Sequence, residues 1–275
     1  MNDLKIVLDS SANLTQLDGV DFAFAPLTVE TQERSFVDDA SLDVAEMVEF
    51  LYSYKGRSST SCPNAADWLD SFGNAQNIIC FTITGSLSGS YSTACTAKRL
   101  YEAKNEGCRV EVIDSLSTGP EIVLMAEKAR ELAIEGKSFD EILDGLRAYG
   151  TQLLFVLESM KNLANNGRVG KLAAKTAGLL GIRAIGKASD RGTLEMLSKN
   201  RGSAKALEAT VEHMKETGFA GGKVRIDHCL NPDAAEELAQ RIKVAFPTAL
   251  VTVAECRGLC SFYAEMGGLL IGFEA

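Results

Sequence analysis

The chain has 275 residues, 46% of them hydrophobic and 24% charged. That composition suits a globular protein with a sizeable core, and the length exceeds the usual single-core size, so two domains are expected. A formal charge of -9 would repel both nucleic acid and anionic membrane surfaces, which argues against either as a partner.

Leu4 to Leu8 forms a short apolar strand that runs into the polar turn Asp9-Ser10-Ser11-Ala12-Asn13-Leu14. No basic region followed by a long apolar core resembles a signal peptide, and a cytoplasmic location is expected. Residues 22–29 read as a second extended segment, with Pro26 suited to an edge or a bulge. Ser41 is the candidate cap of a helix reaching Leu51, and a loop over 58–64 precedes a helix over 65–72. Ile78 to Ile83 is an apolar, β-branched run, followed by Thr84-Gly85-Ser86-Leu87-Ser88-Gly89-Ser90 and a helix to about 106, so the order is strand, tight loop, helix. Unpaired backbone donors and the positive end of the helix dipole favour an anion at such a loop. Residues 71–97 carry no charged side chain, so this stretch would hold an anion with neutral donors. Their many Ser, Thr, Asn and Gly residues exclude a membrane span.

A strand at 109–114, a Ser/Thr/Gly loop at 115–119, helices at 121–135 and 139–149 and a strand at 152–157 continue the alternation. The pattern predicts an α/β domain with a mostly parallel sheet flanked by helices. Past Glu158 the texture changes, which puts the boundary between an N-terminal domain, 1–158, and a smaller α/β layer domain, 159–275. The second half offers helices at 171–180, 203–217 and 232–246, strands at 182–187, 193–197, 224–227 and 250–254, and a final apolar run at 269–273.

The seven cysteines are odd in number and scattered, as suits reduced thiols. Cys256 and Cys260 have no His or second Cys pair at zinc-site spacing. Gly85-Ser86-Leu87-Ser88-Gly89 is not the G-x-S-x-G elbow, and His213 and His228 read as surface or packing residues. No H-E-x-x-H, Walker loop or G-x-G-x-x-G is present, so no catalytic residue, metal or cofactor is expected. What remains is three hydroxyl-rich loops, at Thr60-Ser61, Ser86 to Ser90 and Ser115 to Thr118, each beside a helix start. Capping is the commonest use of such residues, at about 1 kcal/mol each, but three in one half point to a shared site.

The same loops carry a resemblance. Asp9-Ser10-Ser11-Ala12-Asn13-Leu14, Pro26-Leu27, Thr60-Ser61-Cys62-Pro63, Gly85 to Tyr91, Asp114-Ser115, Gly167-Arg168-Val169-Gly170 and Arg201-Gly202 resemble the successive motifs of the DegV family of bacterial fatty-acid-binding proteins. The resemblance implies two α/β domains with one long-chain fatty acid between them, its tail buried and its carboxylate hydrogen-bonded by Thr60 and Ser88 with the Gly89 N–H as a third donor; Ser61 belongs to the same loop. It further implies a lipid-binding carrier rather than an enzyme, one that presents the carboxylate to a separate ATP-dependent fatty-acid kinase subunit. The sequence departs from the family pattern at Cys62 and Asn64, and at Tyr263-Ala264-Glu265-Met266-Gly267, where a family H-x-G-P-G stands. Tyr263 is the nearest substitute for the missing histidine, and Glu265 beside it would repel a carboxylate. Candidate tunnel-wall residues are Phe81, Ile122, Leu124, Met125, Phe155, Leu157, Leu180 and Ile185; Arg168 and Arg201 are exposed-loop candidates for kinase docking. Two other readings stay open, a small-molecule enzyme or phosphate-binding protein using the loops as an anion cradle, and a regulatory module without ligand.

Overall fold

The computed structural model describes residues 4–169 and 181–275. The helix expected over 171–180, and Leu180 with it, lie outside the described residues. β1 (Leu4–Asp9) leads through a short turn into β2 (Asp21–Ala25), which Pro26 ends. Next come β3 (Thr28–Thr31), β4 (Ser35–Val37), α1 (Val44–Ser53) and β5 (Ser58–Ser61). The cap of α1 is Asp43, whose carboxylate accepts the Glu46 N–H; Ser41 instead bonds Asp39. α2 (Ala65–Phe72) starts at a capping box of Asn64 and Asp67. It is followed by β6 (Asn77–Thr82), α3 (Ser90–Lys104), β7 (Arg109–Asp114), α4 (Pro120–Ile134) and α5 (Phe139–Arg147).

The second half contains β8 (Thr151–Leu157), α6 (Lys161–Asn165), β9 (Ile182–Ala188) and β10 (Leu194–Arg201). It ends with α7 (Ser203–Glu216), β11 (Gly222–His228), α8 (Pro232–Ala245), β12 (Ala249–Glu255), α9 (Gly258–Ala264) and β13 (Leu269–Glu274).

Strands β2-β1-β6-β7 form a four-stranded parallel sheet. Its central strands are buried on both faces, as parallel strands usually are: Ile6, Leu8, Ile79 and Phe81 pack with α4 and α5, and Val7, Ile78 and Cys80 with Trp68 and Phe72 of α2. A six-stranded mixed sheet follows, in the order β10-β9-β8-β13-β11-β12. The segment expected to close the first parallel sheet, 152–157, therefore belongs to the second, where β8 lies antiparallel between β9 and β13. A short apolar run reads the same in either sheet, and the tandem helices α4 and α5 carry the chain across without a strand between them. Sheet membership thus changes ahead of the expected boundary at 158. A small antiparallel sheet, β4-β3-β5, was not legible either, because Ser58-Ser59-Thr60-Ser61 has no apolar alternation.

Helix α4 packs against β1 and β6 on one side and against β8, β11 and β13 on the other. A polar seam closes the rest of the junction. Buried Asp38 accepts the Gly258 and Leu259 N–H groups, each at 2.8 Å, at the start of α9. Asn13 accepts the Arg257 N–H at 2.8 Å and donates to Asp227 at 2.7 Å, while Arg225 Nε donates to the other Asp227 oxygen at 2.8 Å. Burial raises the Asp38 and Asp227 carboxyls above their ordinary value, against the lowering effect of these bonds.

A Cβ at Gly272 would lie 2.7 Å from the Glu121 backbone nitrogen of α4, so Gly272→Ala forces the helix off the sheet. A loss of about 1–3 kcal/mol in urea-induced unfolding is expected, and unchanged stability would show that the approach is not tight. Asp227 has a folded pKa above its unfolded value, so its contribution favours the folded state at low pH and is lost as pH rises through the folded pKa. Asp227→Asn should therefore flatten the fall of unfolding free energy from about pH 4 upward relative to wild type, measured by chemical denaturation across that range.

Candidate functional site

The second sheet presents one face to the first half. Along β8 the side chains alternate, so Leu154 and Val156 join the core under α7 and α8 while Leu153, Phe155 and Leu157 turn the other way. With Leu194 and Leu270 they floor a cavity between the second sheet and the loops of the first half. Three segments expected to converge do so over this floor. Strand β5 contributes Thr60, the loop before α3 contributes Ser88, and the loop before α4 contributes Thr118. Helix α9, which sequence reasoning missed, contributes Leu259, Cys260, Tyr263 and Ala264.

The loop before α3 is shaped by a buried carboxylate. Asp9, at the end of β1, accepts the Ile83 N–H at 2.9 Å and the Ser90 hydroxyl at 2.6 Å, tying the strand end and the first residue of α3 to one acceptor. Burial raises this carboxyl too, and four hydrogen bonds oppose the rise. The second half holds the loop from outside: Ser86 donates to the Arg191 carbonyl at 2.6 Å, and Arg168 Nε donates to the Leu87 carbonyl at 3.2 Å.

Thr60 Oγ1 and Tyr263 Oη lie 2.8 Å apart. Two hydroxyls sharing one bond leave one O–H free to donate. Burial pushes the Tyr263 hydroxyl up, outweighing the lowering by Thr60 and Arg168, so it is a neutral donor at neutral pH. Ser88 Oγ accepts the Ser90 N–H at 3.2 Å and donates to no acceptor among the described residues. The guanidinium of Arg168 sits 5.9 Å from the centre of the Tyr263 ring. Arg168 is the one charged side chain among the described residues that line the cavity, and no carboxylate lines it.

Other expected residues fall elsewhere. Ser61 alternates with Thr60 on β5, is exposed, and does not line the cavity. Gly89 is the exposed cap residue of α3; it lies beside Ser88 but is not in the cavity wall, and its N–H has no partner among the described residues. Of the proposed wall residues, Phe155 and Leu157 line the cavity. Phe81, Ile122 and Met125 pack in the core of the first half, Leu124 is buried without reaching the cavity, and Ile185 lies in the core under α7. Glu265 does not face the cavity, and its carboxylate accepts the Asn162 N–H at 2.9 Å, so the expected repulsion has no source there. Arg168 was read as a surface residue and is the cavity's cation; Arg201 is exposed at the end of β10. His213 bridges Ser198 at 3.0 Å and Glu216 at 2.8 Å, but none of the three lines the cavity. His228 is buried at the end of β11, where burial lowers its pKa and Nδ1 accepts the Asn231 N–H.

A family model described as "Uncharacterised protein, DegV family" matches residues 3–274. The chain belongs to the DegV family. A DegV domain-containing protein of Streptococcus pneumoniae strain R6 is 43% identical over 276 residues, covering 98% of both chains. One from Streptococcus pyogenes serotype M3 is 41% identical, covering 98% of this chain and 99% of the relative. Among solved structures, a DegV family protein from Eubacterium eligens loaded with heptadecanoic acid superposes with a TM-score of 0.97 at 41% identity, over 99% of each chain. The Streptococcus pneumoniae Fatty Acid Kinase (Fak) B3 protein loaded with linoleic acid gives a TM-score of 0.96 at 42% identity, over 98% of this chain and 99% of that one. This DegV protein shares their α/β fold throughout. No helix among its described residues is long and apolar enough to cross a membrane.

Tyr263→Phe removes one partly buried hydrogen bond to Thr60 and should cost about 0.5–1.5 kcal/mol of unfolding free energy. Stability equal to wild type in urea denaturation would show that the pair contributes nothing to holding α9 against β5.

Proposed function

We propose that this DegV protein binds one long-chain fatty acid and offers its carboxylate to an ATP-dependent kinase subunit, acting as a carrier without catalysing the transfer itself. The observation that carries the reading is the cavity's polarity: leucine and phenylalanine on the floor, and Thr60, Ser88 and Tyr263 with a single cation at the polar end. The carboxylate is placed against the Ser88 hydroxyl, the free proton of the Thr60–Tyr263 pair and the Gly89 N–H, with Arg168 supplying the balancing charge. The likeness to fatty-acid-loaded DegV structures supports the same assignment. A kinase that spends ATP fits a cytoplasmic setting.

Magnitudes favour a lipid. Burying some fourteen methylenes contributes roughly 11 kcal/mol at about 0.8 per group, before the cost of immobilising the chain is subtracted. Hydrogen bonds to the carboxylate add about 1.5–3 kcal/mol each before its desolvation. The tail thus supplies affinity and the head fixes direction. A bare phosphate would gain nothing from the leucine floor, which is why the anion-cradle reading is not favoured.

Mass spectrometry of ligand extracted from natively purified protein should find an acyl chain; its absence, with no thermal stabilisation by added fatty acids, overturns the reading. The double substitution Thr60→Ala with Ser88→Ala should weaken fatty-acid binding by about 10-fold or more, and weaken methyl-ester binding much less. Equal losses for acid and ester, measured by displacement of a fluorescent fatty acid, would contradict the head-group assignment.

A further inference from the structure

A second concavity lies on the other side of α9. It lies between α1, the segment around Lys161 and the end of α9. Val48, Leu51 and Phe262 give it an apolar floor, and Tyr52 and Met266 stand at its rim, 74% and 36% exposed. Lys55 and Lys161 also line it, and neither side-chain ammonium has a hydrogen-bond or ion-pair partner among the described residues. Its one acid, Glu265, is occupied by the Asn162 N–H at 2.9 Å. On a chain of formal charge -9, a mixed polar and apolar groove lined by two lysines and one carboxylate is a local reversal of sign.

The groove shares its walls with the head-group site. Tyr263 faces the fatty-acid cavity while its neighbours Ser261 and Phe262 face the groove, and the Phe262 and Tyr263 rings meet edge-on at 4.8 Å. Lys55 stands three residues ahead of β5, the strand that carries Thr60. Both hydroxyls of the Thr60–Tyr263 pair are therefore borne on segments adjoining the groove.

We propose that this groove is the docking site for an acidic, amphipathic segment of the protein that receives the carboxylate. An apolar side chain of that segment would sit on Leu51 between the rim residues Tyr52 and Met266, and its carboxylates would pair with Lys55 and Lys161. The groove supplies what such recognition uses, a desolvated apolar anchor with charges at the rim that steer encounter. A membrane surface fits less well, because the feature is concave and the whole chain is acidic. The inference rests on the kinase-presentation reading and adds where the partner sits.

The test uses Lys55→Glu with Lys161→Glu in the full chain loaded with fatty acid, and Lys243→Glu on α8 as a charge-reversal control. Fatty-acid affinity should be unchanged in all. With the purified cognate ATP-dependent subunit, the double variant should raise the KM for loaded carrier by about 10-fold or more with kcat within about twofold, and Lys243→Glu should leave both unchanged. Wild-type KM should rise with salt. Unchanged KM in the double variant overturns the groove while leaving presentation intact. A wild-type carrier that binds fatty acid but yields no acyl phosphate with the subunit overturns presentation, and the inference with it. Loss of binding to phosphatidylglycerol vesicles with kinase kinetics intact would assign the groove to membrane and overturn the protein-docking proposal.

Discussion

Buried carboxylates organise this molecule. Asp9, Asp38 and Asp227 are each almost fully removed from water, where an unsatisfied carboxylate is costly, so the chain must bring donors to each. Those donors come from far along the sequence: Ile83 and Ser90 to Asp9, Gly258 and Leu259 to Asp38, Asn13 and Arg225 to Asp227. Satisfying the three acids therefore fixes where the loop before α3 and the start of α9 lie. These are the two pieces of backbone that carry Ser88 and Tyr263.

The charge-free stretch around Ser88 takes on its meaning in this setting. Its neighbour Asp9 is buried behind the loop and consumes the Ser90 hydroxyl, so that hydroxyl is a structural tie, while the Ser88 hydroxyl, two residues earlier, lines the cavity. Capping and ligand binding are thus divided between adjacent serines of one loop. Asp114 plays a similar supporting part, accepting the Gly85 and Leu116 N–H groups and linking the first two turns of the site's roof. The formal charge of the pocket is left to Arg168, from the other half.

Much of the element order could be read from the sequence because local signals mark it: apolar runs at β1, β6 and β7, and hydroxyl- and glycine-rich loops where α3 and α4 begin. The convergence of Thr60, Ser88 and Tyr263 was legible through motif order, whose family membership is established by the match over residues 3–274. The rest depended on pairing over long distance. Nothing local in Gln152 to Leu157 tells whether it joins the first sheet or the second. Ser61 and Thr60 look alike in a hydroxyl run until β5 pairs with β3 and alternation sends them to opposite sides. Arg168 reads as a solvated charge in a Gly-rich loop, because the sequence does not show that the Leu87 carbonyl and the Tyr263 ring will meet it.

The alternation along β8 has a bearing on how such a carrier diverges. Because Leu153, Phe155 and Leu157 meet the cavity while Leu154 and Val156 are locked under α7 and α8, a single strand separates two inheritances. The odd-numbered positions can change size and so accept longer, shorter or kinked acyl chains, and the even-numbered ones continue to specify the fold unaltered. Ligand preference in this scaffold is a trait that can drift one residue at a time without carrying the architecture along with it.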